Sequence, residues 1–196
     1  MIIFNYDKGE IKMKKLNKKG FTLIELLAVI VILGILMLTA IPAVTRAIAK
    51  SRKNTFWQNA KQYIQAAQTQ FLAGEYYNGG VVCSVPGDGH AYKILIKDIT
   101  LDGGDATRSS FGAKYNSGNS CEPAVFVVNN GSGENVKLEW YFVGTDESKN
   151  GIDEFKKEKE IGFDVVKTGT AKTGVGTNNE CTAPVPAANI TTCTPQ

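Results

Sequence analysis

The sequence predicts an α+β protein, with a long N-terminal α-helix packed on a small antiparallel β-sheet head. Three observations carry this reading. Residues 21–44 are almost wholly apolar. Residues 45–73 hold no Gly or Pro and are rich in Ala, Gln and Lys, which is helical composition. From residue 75 onward Gly, Asn, Ser and Asp become frequent, with short β-prone runs between them.

Four stretches follow in order. Residues 1–20 form a basic leader ending in Lys18, Lys19 and Gly20, and Met13 is a candidate for the true start. Residues 21–44 form an apolar helix. A hydrocarbon core about 30 Å thick takes roughly 20 helical residues, so this run is long enough to span it. Residues 45–74 form the amphipathic half of the same helix. Ile48, Phe56, Ala60, Ile64, Ala67 and Phe71 recur mostly at three- and four-residue spacing, one stripe of a helix. Gly74 ends it. Phe56, Trp57 and Tyr63 are expected to be core.

Residues 75–196 form the head. "AYKILIKDI" (91–99) fits strand and helix equally. "AVFVV" (124–128) and "VKLEWYFVG" (136–144) are strands joined by "NNGSGEN". "EIGFDVVKT" (160–168) is a candidate further antiparallel strand. "DESKNGIDEFKKEKE" (146–160) is charged and expected to be solvated. The tail from Thr168 is rich in Gly, Thr, Pro and Asn, a composition that would be disordered alone.

Composition narrows the chemistry. The 196 residues suit one domain plus a membrane segment, and 22 basic against 19 acidic residues leave a formal charge of +3. That balance does not call for nucleic acid as a partner. A single histidine, His90, rules out a multi-histidine metal site. "GGDATRSSFGAKY" (103–115) lacks the lysine pattern of a phosphate loop. No cofactor, metal or catalytic residue is expected. Cys83, Cys121, Cys181 and Cys193 contain no CxxC pair. An even count behind an export segment points to two disulfides formed in an oxidising compartment, with three pairings open.

Glu25 is the anomaly of the apolar run. A charge at the centre of a membrane helix costs about 2.5 to 3.5 kcal/mol on insertion scales, and less near an end. A cut after Gly20 gives it a role. The new α-amine on Phe21, with a pKa of about 7.7 to 8, is mostly cationic at neutral pH. Phe21 and Glu25 lie four apart and share a helix face. In a bundle the carboxylate could instead meet the amine of a neighbouring chain, so the acid would select one axial register. A secretory signal peptide fits less well, because its apolar region normally runs only about 7 to 15 residues. A plain anchor leaves the acid unexplained.

"KKGFTLIELLAVIVILGILMLTAIP" resembles the N-terminus of type IV pilins and their pseudopilin relatives. The resemblance covers residues 18–44 closely, and the long helix extends it to about residue 73. It implies removal of the leader between Gly20 and Phe21 by a prepilin peptidase, N-methylation of Phe21, and an assembly role for Glu25. It also implies that the section from Gly34 to Pro42 can unwind in the fibre. Each residue has a physical reading besides: Pro42 removes a helix hydrogen bond, and Gly34 weakens the helix by about 1 kcal/mol relative to Ala. A C-terminal disulfide loop, common in that family, favours Cys181–Cys193 and leaves Cys83–Cys121.

The implied function is that of a structural pilus subunit. It would wait in the membrane and polymerise with copies of itself through an assembly platform and ATPase, ending in an extracellular fibre for adhesion, motility or DNA uptake. Alternatives are a pseudopilin of type II secretion or competence, a minor pilin, or a monomeric membrane-anchored adhesin. Arg46, Lys50, Arg52 and Lys53 could bind DNA or neighbour carboxylates, or form a solvated helix face at the membrane edge. "DESKNGID" (146–153) offers oxygen ligands for calcium, but its spacing is not that of an EF-hand loop. Asn130 and Asn189 stand in glycosylation sequons.

Overall fold

The computed structural model describes residues 21–101, 106–174 and 176–196. Gly20, Met13 and the rest of the leader lie outside them. The chain divides into two compact units, Met1–Thr45 and Arg46–Gln196.

In the first unit Phe21 and Thr22 lead into helix α1, which runs from Leu23 to Leu72 and continues into the second unit. Every residue from 21 to 45 is exposed.

The second unit is built on the other half of α1 and a sheet. Seven strands are described: β1 (Tyr76–Asn78), β2 (Val81–Val82), β3 (Ala91–Leu95), β4 (Ala124–Asn129), β5 (Leu138–Thr145), β6 (Gly151–Lys157) and β7 (Ile190–Pro195). Their order across the sheet is β2-β1-β7-β3-β4-β5-β6. All pairs are antiparallel except β3 with β7, which is parallel.

Helix composition and a fixed stripe explain how α1 packs. Phe56, Ala60, Tyr63, Ile64, Ala67 and Phe71 are its buried residues. Ile48, expected on this stripe, is exposed. Trp57 is half-buried against the core, and Phe56 and Tyr63 lie in it. The Phe56 ring meets Phe111, Tyr115 and Phe142 at centroid distances of 6.0, 6.3 and 6.4 Å. Phe71 meets Trp140 edge-on at 5.5 Å. After Leu72 the chain turns through Gly74 at φ 76°, a left-handed cap that favours glycine.

The sheet separates two cores because successive strand residues face opposite sides. Val125 and Val127 join α1's residues on one side, with Ile94, Phe142 and Ile152. Ala124, Phe126 and Val128 face the other, with Ala91, Leu95 and Val143. β4 is therefore buried on both faces, and its sequence is apolar without alternation.

Several expectations need correction. Residues 91–99 resolve into β3 and a single 3₁₀ turn, Ile96–Asp98. Residues 160–168 form no strand. They hold the 3₁₀ turn Phe163–Val165 and one bridge from Lys167 to Gly151. The stretch 146–160 is not simply solvated, since it contains β6, whose Gly151, Ile152 and Asp153 are buried. Asp153 is 1 % exposed. It is held by Lys167 Nζ at 2.8 Å and by the Lys172 backbone N–H at 3.0 Å, so the charge is paired. Gly151, at φ 132°, has no room for a side chain, because a Cβ would run into the Gly144 carbonyl and the Phe56 ring.

The disulfides are Cys83–Cys193 and Cys121–Cys181, not the expected Cys83–Cys121 and Cys181–Cys193. The family's C-terminal disulfide loop misled that expectation. Cys193 lies in β7 on the helix side of the sheet, with Cys83. Cys181 lies with Cys121 on the far side. The sheet stands between the two tail cysteines. The tail itself ends as a strand inside the sheet, flanked by β1 and β3.

Candidate functional site

The N-terminal segment is built from a helix end with a built-in acid. Thr22 precedes the first helical residue, and Glu25 stands three residues on. Glu25 Oε2 accepts from the Thr22 backbone N–H at 2.8 Å and from Thr22 Oγ1 at 2.8 Å. The Glu25 N–H donates to Thr22 Oγ1 at 3.4 Å. This reciprocal pair is a capping box, which satisfies donors that every helix N-terminus leaves open. Thr-x-x-Glu spells it in the sequence, so Thr22 is a residue that sequence reasoning passed over. In the single chain Glu25 is thus partnered by Thr22. Phe21 is 89 % exposed.

Beyond the cap the helix offers an unbroken apolar surface. It contains a stretch long and apolar enough to cross a membrane, none of it buried. From Leu23 to Leu38 the large apolar side chains are all about half exposed or more. α1 runs through Gly34 and Pro42 without interruption. Pro42 has no N–H, so the Leu38 carbonyl lacks its regular donor. Thr45 Oγ1 turns back to the carbonyls of Ile41 and Pro42, each at 3.1 Å. A Cβ at Gly34 would meet nothing within 4 Å, so the isolated helix does not require glycine there.

The basic cluster past this span splits in two. Arg52 is tied to the head, donating from its guanidinium to the Phe111 carbonyl at 3.3 Å, while Ser110 Oγ donates to the Arg52 carbonyl at 2.8 Å. Lys53 sits over the Phe163 ring at 4.4 Å. Arg46 and Lys50 are exposed.

At the turn 146–150 the structure builds a hydrogen-bonded loop. Asp146 is fully buried. Its carboxylate accepts from the Asn150 backbone N–H at 2.8 Å, from the Asn150 amide, and from Ser109 Oγ. Among the described residues no group of three His, Cys, Asp or Glu is placed to hold a metal.

Glu139 on β5 gathers a second polar cluster. Its carboxylate takes Lys157 Nζ at 2.7 Å and Tyr141 OH at 2.8 Å, with the Asn130 amide beside them. Mainly Lys157, then Tyr141, hold its pKa down at about 2. An unfolded Glu titrates at about 4.3, so folding favours the ionised form. The stabilisation is complete above the unfolded value and is lost as pH falls from about 4 toward 2. Glu139→Gln should therefore lower the urea midpoint at neutral pH and match the parent at the acid end of that window. The effect should be about 1 kcal/mol or less, because the cluster is solvent-screened. A constant difference across the whole pH range would contradict it.

Residues 15–41 match the family model of the prokaryotic N-terminal methylation motif, the class III signal motif of type IV pilins. No curated protein gives a significant match, and neither does any solved structure. The motif is of the kind carried by pilins and pseudopilins, and with the apolar helix it fits a membrane-anchored precursor processed by a prepilin peptidase; the α+β fold is pilin-like.

Proposed function

We propose that the chain is a structural subunit of a type IV pilus. The observation that carries this reading is the methylation motif at residues 15–41, joined to an apolar helix with no covering among the described residues. The precursor sits in the cytoplasmic membrane through residues 21–44. Prepilin peptidase cuts between Gly20 and Phe21, and Phe21 is N-methylated. Subunits then leave the bilayer and bury their apolar helices against copies of themselves, driven by a separate assembly platform and ATPase.

Apolar burial explains why such a helix assembles. Each fully buried Leu or Ile side chain contributes about 1.5 to 3 kcal/mol relative to water. Once out of lipid, a rod carrying this many exposed apolar residues is stable only among other rods. Glu25 then exchanges its Thr22 cap for the amine of a neighbour, and Gly34 to Pro42 is the section that loosens in the fibre. The heads form the outer surface, where two disulfides suit an oxidising exterior.

The test is to shear cells, collect surface fibres and identify the chain by mass spectrometry. The expected result is a mature N-terminus at methylated Phe21 within those fibres. An uncut monomer retained in the membrane would overturn the reading in favour of an anchored binding domain. A processed chain confined to short envelope fibres of a secretion system would favour a pseudopilin.

A further inference from the structure

We propose that Arg46 and Lys50 bind the headgroups of anionic phospholipids while the precursor waits in the bilayer. The inference rests on the membrane-inserted stage of the function proposed above. Position is the first argument. Along a helix Arg46 stands about 3 Å past Val44 and Lys50 about 9 Å past it. The headgroup layer is about 5 to 8 Å deep on each side of the hydrocarbon core, so Arg46 falls within it and Lys50 stands at its outer edge, where a long side chain reaches back to it. They are four residues apart and share one helix face.

The charge pattern is the second argument. Past Glu25, α1 carries five cations (Arg46, Lys50, Arg52, Lys53 and Lys61) and no acid. A helix face evolved only for solvation gains from acids at three- and four-residue spacing, and here there are none. Orientation does not explain the cluster either. Six cations precede the span, Lys8, Lys12, Lys14, Lys15, Lys18 and Lys19, and four follow it, Arg46, Lys50, Arg52 and Lys53. The larger N-terminal cluster sets the orientation, and the far-side group works against the positive-inside bias.

The third argument comes from the head. It engages two of the four far-side cations, Arg52 through the Phe111 carbonyl and Lys53 through the Phe163 ring. Lys61 lies over Trp57. Arg46 and Lys50 make no hydrogen bond or ion pair among the described residues, and both are exposed. Among the described residues nothing supplies their counter-charge, and at that depth a lipid phosphate is the anion at hand. Each such contact enriches an anionic headgroup by about fivefold.

The test uses the full chain reconstituted in phosphatidylcholine bilayers containing a minority of phosphatidylglycerol. Each lipid is spin-labelled in turn, and the fraction immobilised beside the protein is measured. The expected result is several-fold selection of phosphatidylglycerol, weakened by salt and reduced several-fold in Arg46→Gln/Lys50→Gln, with the remainder held by the lysines before the span. Lys61→Gln should leave the selection unchanged. An inserted parent chain without selection overturns the inference alone, as does selection undiminished in the double variant. Fibre loss in a double variant that selects phosphatidylglycerol at the parent level also overturns it, and assigns the pair to carboxylates of a neighbouring subunit. A chain that flotation shows outside the bilayer overturns the proposed function together with the inference.

Discussion

A chain carrying Glu25→Val enters the membrane at the normal level and is nearly absent from sheared fibres. Removing the acid favours insertion, since the carboxylate is the one charge in the apolar run. In the fibre proposed above, the same change leaves the Phe21 amine of each neighbour unpaired among apolar side chains. Breaking one partner of a buried ion pair costs about 3 to 5 kcal/mol, which is more than a hundredfold in contact affinity. The capping box supplies a competing explanation, because valine also destroys the cap on Thr22. Two further variants separate the causes. Glu25→Gln keeps a side chain that can close a capping box but carries no charge. Thr22→Val removes the hydroxyl and keeps the carboxylate, at a helix cost of about 1 kcal/mol. Quantitative immunoblots of membrane and sheared fractions should show fibres lost with Gln and largely kept with Thr22→Val. Normal fibres from Glu25→Gln would end the register role and leave Glu25 as a cap.

The second large effect concerns the tail. Cys83→Ser/Cys193→Ser should destabilise the head more than any single surface change, by about 4 to 5 kcal/mol on the chain-entropy estimate for a loop of this length. The bridge spans 110 residues of sequence. It fixes β7, the strand that joins the β1–β2 hairpin to the rest of the sheet. Freed, β7 relies on short ladders to β1 and β3, and the serines bury hydroxyl groups in the main core. Urea unfolding followed by circular dichroism measures the loss, and protease nicking near the C-terminus should rise with it. Cys121→Ser/Cys181→Ser should leave β7 in place, since that pair ties the loop over the opposite face. Equal protection of the C-terminus in both variants would show that the ladder alone holds the strand.

These two sites differ in how far the sequence announced them. The apolar span, its acid and the methylation motif are contiguous, so their spacing could be read directly, and Thr-x-x-Glu was open to the same reading. The stripe from Phe56 to Phe71 was legible for the same reason, because a helix repeats its face every few residues. Ile48 kept the period and still lies in solvent, since period states which residues align and not how far the partner surface extends. The pairing of cysteines was not legible, because it depends on which face of the sheet each strand residue takes. Residues 190 and 193 are an odd step apart in one strand and so point to opposite cores.

By itself, then, the order of residues determined the helix, its membrane-length apolar half, the processing motif and the presence of strands in the head. Those are local properties, set by composition and period over short windows. Only the tertiary structure decided that the tail enters the middle of the sheet beside β3, that Cys83 joins Cys193, and that Asp153 is buried against Lys167. Each of those joins residues far apart in the chain, where the choice among partners is made by the burial of whole faces and not by any neighbouring residue.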